Sequence, residues 1–252
     1  MKNFTLKDKK LSILSKFILL GSWIVLSEII DNEVILPTVK STLESLLEIV
    51  TSSDFISIVV SSLIRSLIGF LASLFLAVLL GILSSISKLC YNLMIPVLNF
   101  LSSVPTMAII ILALIWLHNE VVPMFVGFIM VFPILYETVQ KGILNVDKKI
   151  LEMCKLYRIN RWTIIKDIYI PSILINLSMV FTTALSTNLK MVIAGEALSQ
   201  PKYAIGSNLQ IQKMYLNTSG VFAWIIIILF ISKVLAYIVE LLMYFIKMDR
   251  WK

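Results

Sequence analysis

The chain has 252 residues, 59% of them apolar and only 15% charged, with a formal net charge of +7 and a mean hydropathy of +0.95. Soluble domains are about half apolar and a quarter charged, so this balance excludes an ordinary water-soluble globule. Disorder, which needs low hydrophobicity and high charge, is excluded with it. At roughly 20 residues per crossing plus a connection, the length holds about six or seven membrane spans and no soluble domain of normal size beside them.

In chain order, residues 1–16 carry Lys2, Lys7, Lys9, Lys10 and Lys16 against Asp8, and an apolar run follows to about Ile30. That run ends in Glu28, Asp31, Asn32 and Glu33 rather than in the small residues of a cleavage site, which predicts an uncleaved first helix. Over 37–53, Val39, Leu43, Leu46, Leu47 and Val50 recur at helical spacing opposite Lys40, Glu44 and Glu48. This predicts a short amphipathic helix on the outer bilayer face, capped by a Ser41–Glu44 box just after Pro37 and anchoring its loop. Further apolar segments lie at about 56–87, 91–117, 121–139, 171–195 and 221–246. Six transmembrane helices are expected, with kinks near Pro105 and Pro133, since neighbouring helices re-satisfy the carbonyls that proline frees. In the second segment Ser62, Ser66, Gly69, Ser73, Ala77 and Gly81 form one stripe of small residues, the pattern of close helix packing. His118 stands alone beside Asn119 and Glu120 and makes no metal site, and Cys90 and Cys154 are too few for a disulfide framework.

Loop charge predicts the orientation. With the N-terminus inside, the inner segments hold sixteen of the 22 basic residues, the outer segments only Lys40, Lys202 and Lys213. The excess of positive charge therefore reports a multi-pass membrane protein with both ends cytoplasmic, and not a nucleic-acid partner.

The inner segment 148–168 is too patterned for a simple connector. Leu151, Cys154, Leu156 and Ile159 predict a short helix with an apolar side, and Trp162, Ile164, Ile165, Ile168 and Tyr169 a second. Asn160 suits the junction, because asparagine tolerates the left-handed conformation and caps helix N-termini. Pro171 opens the fifth span, where its missing N–H costs least. Two short helices at the membrane face would make a rigid handle.

This stretch resembles the inner-membrane permeases of binding-protein-dependent ABC importers, whose loop reads Glu-Ala-Ala, three residues, Gly, nine residues, Ile, one residue, Leu-Pro. Glu152, Ile168 and Pro171 match at the family spacing; Met153, Cys154, Arg158 and Ile170 stand where the family has Ala, Ala, Gly and Leu. A left-handed residue other than glycine costs roughly 1–2 kcal/mol, so the turn is expected to move about two residues, to Asn160. The resemblance runs through nearly the whole chain after residue 35. It is carried by Leu36-Pro37, Ser62 to Phe70, Ser103 to Ala108, Phe132-Pro133, Ala194-Gly195-Glu196 and Val221-Phe222-Ala223, and it is similar to the branch serving nitrate, sulfonates, taurine and pyrimidine-type precursors. It implies a single all-α permease domain over 1–252 and a second permease copy in the bilayer. A cytoplasmic ABC ATPase dimer would dock on the handle, and an extracytoplasmic binding protein would deliver the solute. No phosphate-cradling Gly-x-x-x-x-Gly-Lys-Ser/Thr loop occurs, so ATP hydrolysis is assigned to a partner, and no cofactor is implied.

Glu152 is the expected docking residue, with Lys155, Arg158, Asn160, Arg161 and Pro171 completing the handle; the basic side chains equally suit a solvated inner loop. Charges inside spans cost roughly 2.5–3.5 kcal/mol at a helix centre. Lys190, near Asn188 and six residues before Glu196, would suit an anionic solute along a translocation path; an internal ion pair or snorkelling are its other readings. Asn188, Glu196 and Arg65 are the other candidates along that path, although Arg65 is expected to pair with Glu137 or a backbone carbonyl rather than to touch the solute. Two other classes compete. A membrane-embedded enzyme needs clustered acids or histidines within the spans, and a self-sufficient secondary transporter would favour an inverted repeat; neither pattern is seen.

Overall fold

The computed structural model describes residues 9–248, with side chains over 14–241. The N-terminal Lys2 and Lys7 and the C-terminal Arg250 and Lys252 of the charge argument lie outside the described residues. Everything described is helix or connection: α1 (Lys9–Ile30), α2 (Val39–Thr51), α3 (Phe55–Ile86), α4 (Lys88–Ser103), α5 (Thr106–Trp116), α6 (Val122–Leu144), α7 (Lys148–Leu156), α8 (Arg161–Ile164), a π-helical turn (Ile165–Tyr169), α9 (Ile170–Ser199), α10 (Ile205–Met214) and α11 (Thr218–Met248). The chain is an all-α polytopic membrane protein. Among the described residues four helical stretches are long and apolar enough to cross a membrane, and α4 with α5 makes a fifth if that bent pair counts as one crossing.

The pair is the main departure from the expected spans. Residues 91–117 do not form one helix but two, bent by 103°. Pro105 removes an N–H and pushes the residue before it out of the helical region; Val104 accordingly sits at ψ 131° and Pro105 itself at ψ 132°. Pro133, by contrast, lies inside an uninterrupted α6.

Two compact units make up the chain, residues up to 55 with 208–229, and 56–207 with the segment from 230 on. In the first, the Trp23 indole donates to the Pro37 carbonyl at 3.0 Å and its ring lies 5.5 Å from that of Phe222. Ser45 and Ser219 share a hydrogen bond of 2.9 Å, and the Thr218 hydroxyl donates to the Val34 carbonyl. Thr38, not Ser41, caps α2: its Oγ1 accepts from the Ser41 N–H at 3.1 Å. The expected box is thus displaced by three residues, because the chain turns into the helix immediately after Pro37, and Glu44 faces Lys40 instead, 3.9 Å away.

The second unit is built on small residues. Every member of the α3 stripe is buried. A Cβ on Gly69 would come within 2.6 Å of the Met124 carbonyl oxygen, and one on Gly81 within 2.8 Å of the Val139 side chain, so α3 lies directly against α6. α6 and α9 are equally close and run antiparallel: Gly142 faces Ile173, Gly127 faces Asn188 and Val192, and Gly195 faces Pro123. Around these seams Phe70, Val131, Phe132, Leu135, Tyr136, Val139 and Leu177 form the core, with Phe70 edge-on to Phe181 at 4.9 Å. Membrane helices gain little hydrophobic drive from one another, so van der Waals contact along such stripes holds them together.

A leucine at position 69 has no room without separating α3 from α6. Gly69→Leu should lower thermal stability in detergent by about 1–3 kcal/mol or more, the usual range for overpacking, with the midpoint of unfolding as the readout.

Candidate functional site

Two assemblies of polar residues stand out in the second unit, one at each end of α6. The first is the handle. Asp147 caps α7, accepting from the Lys149 N–H at 2.9 Å. Cys154 is the buried residue of this helix, so a small side chain is needed where it meets the bundle. Glu152, Lys155, Arg158 and Arg161 are exposed and, among the described residues, take no ion-pair partner. The apolar side expected for the handle is only partly turned inward: Leu156 and Trp162 are exposed, as are Met153 and Tyr157.

The turn does not move to Asn160. Arg158 itself is left-handed, with φ 53°. The Arg158 N–H donates to the Lys155 carbonyl at 3.1 Å and the Ile159 N–H to the Cys154 carbonyl at 2.9 Å, the paired bonds of a Schellman ending. Those bonds and the need to satisfy the last carbonyls of α7 hold a conformation that costs an arginine roughly 1–2 kcal/mol. Asn160 takes the other role open to it and caps α8, its Oδ1 accepting from the Trp162 N–H.

The second expected handle helix is not a separate element. From Arg161 to Ser199 the chain is one helical run of 39 residues, α8 passing through the π turn into α9. Pro171 explains the π turn. It has no N–H for the carbonyl four residues back and its ring crowds that carbonyl; the wider turn just before it, in which the Ile170 N–H reaches back to Ile165, relieves both conflicts. Pro171 therefore sits in the first turn of α9, within a continuous helical run.

The second assembly is a buried ion cluster. Arg65, on α3, donates through Nη1 to Glu196 Oε1 at 3.0 Å and to the Tyr203 carbonyl at 2.8 Å, and through Nη2 to Glu120, in the turn between α5 and α6. Glu196, near the end of α9, is fully buried. Its other oxygen accepts from the Ser62 hydroxyl at 2.9 Å and the Gly206 N–H at 3.1 Å, while Ser62 in turn accepts from the Ile205 N–H. A carboxylate taken out of water requires this kind of complete partnering. The expected Arg65–Glu137 pair is not formed. Glu137 lies one helical turn from Lys141 and pairs with it at 3.1 Å; the backbone carbonyl, offered as the other partner, is that of Tyr203.

Of the four residues expected along a path, three come together between α3 and α9: Arg65 and Glu196 in the cluster, and Asn188, whose Nδ2 donates to the Ser66 carbonyl and hydroxyl at 2.6 and 2.9 Å. Lys190, two residues from Asn188, points off the opposite side of α9 and is exposed. Opposite charges isolated in two apolar segments, each beside small residues, were the sequence signal for Arg65 and Glu196. Glu120 and Gly206 carried no such signal, since both lie where only the fold brings the chain back.

The profile of the family described as "Binding-protein-dependent transport system inner membrane component" matches residues 69–246, a stretch that includes the handle, Lys190 and Glu196. No curated protein matches the chain.

Two outcomes test these geometries. Glu196→Gln leaves a buried guanidinium with one carboxylate fewer and should destabilise the folded chain by about 3 kcal/mol, the lower end for breaking a buried pair because Glu120 remains; thermal unfolding in detergent measures it. Arg158→Gly should stabilise by roughly 1 kcal/mol and slow amide exchange at Arg158 and Ile159, because glycine enters the left-handed region freely.

Proposed function

The chain belongs to the family of binding-protein-dependent transport system inner-membrane components, and from that premise we propose that it is moved by a separate cytoplasmic ATPase dimer gripping α7, while an extracytoplasmic binding protein supplies a small polar or anionic solute. The observation that carries the reading is mechanical. α7 presents unpaired charges and exposed apolar side chains, and a hydrogen-bonded turn joins it to a 39-residue helical run. A push on such an element is not dissipated in a loose loop.

In this reading Glu152 makes the principal docking contact. Lys155 and Arg161 are its flanking cationic partners, and Arg158 and Asn160 set the angle between α7 and α8. Pro171 fixes the π turn through which displacement enters the span. The handle faces the cytoplasm, with both ends of the chain on the same side, as the distribution of basic residues favours. ATP would bind and close the motor, and the permease would follow because its two arrangements bind the closed and open motor differently.

Lys190 supports a path shared with a second copy of the chain. It lies well inside α9 yet its own subunit leaves it uncovered. An ammonium facing lipid there is costly, by roughly 2.5–3.5 kcal/mol on insertion scales. A water-filled path between two copies removes that cost and gives an anion such as a nitrate, sulfonate, taurine or pyrimidine-type precursor a cation to pass.

Glu152→Lys reverses the charge of the proposed contact without touching the bundle. In vesicles containing the permease and its ATPase, solute uptake should fall at least tenfold while the permease remains folded and inserted. Unchanged uptake would remove Glu152 from the interface.

A further inference from the structure

The ion cluster holds its charges unequally. Arg65 has 7% of its side chain exposed and Glu196 none, whereas Glu120 has 55% exposed and comes from a turn. Nη1 of Arg65 is occupied by two partners, the fully buried Glu196 carboxylate and the Tyr203 carbonyl. Among the described residues, Nη2 is held by Glu120. The same carboxylate spreads its two oxygens over two donors, Oε2 on Arg65 Nη2 and Oε1 on the Lys202 backbone N–H at 3.4 Å. The Lys202 ammonium, on the same residue as that N–H, lies over the Tyr203 ring, 5.2 Å from its centre.

The charges count in the same direction. With Glu120 in place, Arg65 and Lys202 balance Glu196 and Glu120. With Glu120 swung into water, a guanidinium edge and a backbone N–H remain at one vacated position, and the cations of Arg65 and Lys202 are left against the single carboxylate of Glu196. Two donors spaced for two oxygens on one central atom favour a carboxylate or sulfonate over a spherical halide.

We propose that this position, formed by Arg65 Nη2 and the Lys202 N–H, is a binding site for a small anion carrying two or more oxygens on one atom, and that Glu120 is a tethered stand-in which the anion displaces. The proposal rests on the reading of the chain as a permease for anionic solutes and adds a place where the solute is first held. A tethered carboxylate competes at an effective concentration in the millimolar range or above, so the site is masked from weak free anions until Glu120 is removed or drawn away.

The test uses the purified full-length chain in detergent, titrated with sodium methanesulfonate at constant ionic strength, sodium chloride making up the balance, with thermal unfolding as the readout. A ligand that binds only the folded state raises the midpoint. In Glu120→Ala and in Glu120→Gln the midpoint should rise saturably, with half-saturation roughly tenfold below that of the unaltered chain. Equal responses in altered and unaltered chains would overturn the proposal, as would no response in a folded variant. Failure of both variants to fold would overturn it too, by making Glu120 a structural tie. A rise produced by short-chain phosphatidylglycerol and not by methanesulfonate would give the site to a lipid phosphate and overturn the solute assignment. No ATPase, binding protein or transport step enters the measurement, so its failure is distinct from failure of the coupling reading.

Discussion

The contact between the Arg65 guanidinium and the Glu196 carboxylate constrains the second unit more than any other single interaction. Each charge lies in a long apolar helix, where an unpartnered ion is expensive enough to oppose insertion. Pairing them across α3 and α9 fixes which faces of those helices meet, and the Ser62 hydroxyl and the Gly206 N–H complete the carboxylate's shell only in that register. The small residues that follow Arg65 on the same face then fall against α6, where any side chain at Gly69 would strike the backbone of Met124. Electrostatics sets the register, and close packing makes it the one that can be filled.

At the other end of the unit the governing constraint is the satisfaction of backbone groups. α7 ends where Arg158 turns left-handed, and the two bonds made there leave the last carbonyls partnered. α8 begins at once under the Asn160 cap and is never released from the helix that follows. The π turn before Pro171 is the local cost of keeping that continuity, and π turns of this kind are often found at functional positions. The handle is therefore stiff for reasons that lie in its backbone, while the side chains it presents are left unpaired. That combination is what the proposed docking of a motor on this face requires.

The all-α membrane class, the helix that follows Asp147, the buried stripe on α3 and the presence of Arg65 and Glu196 inside apolar helices were legible in the sequence because each has a local cause: hydropathy, periodicity, or a charge in apolar surroundings. Partners were not. Glu137 is one helical turn from Lys141 and satisfies itself there, so proximity of opposite charges along the chain was a poor guide to what Arg65 would find. Glu120 reaches Arg65 because the start of α6 packs on α3, with Met124 against Gly69, a tertiary fact with no local trace. The Arg158 turn stays in place for a different reason: its conformational penalty of roughly 1–2 kcal/mol is matched by the hydrogen bonds made by staying in register. Thr38 and Ser41 both offer a hydroxyl near the start of α2, and Ser41 has the box spacing to Glu44, so spacing alone does not single out the Thr38 cap.

The two assemblies share one helical run. Thirty-nine residues at 1.5 Å each make about 58 Å, well beyond the roughly 30 Å of bilayer hydrocarbon. A run of that length cannot be contained in the membrane, so at least one end must project, and the exposed handle is joined to its Arg161 end. Its Ser199 end is held by Glu196 in the ion cluster. In the proposed coupling, a displacement at Arg161 would be carried along a hydrogen-bonded rod whose far end is pinned by a buried charge pair. Of the contacts at that pinned end, the one to the exposed Glu120, on the α5–α6 turn, is the least enclosed, so it is the one such a displacement would break first.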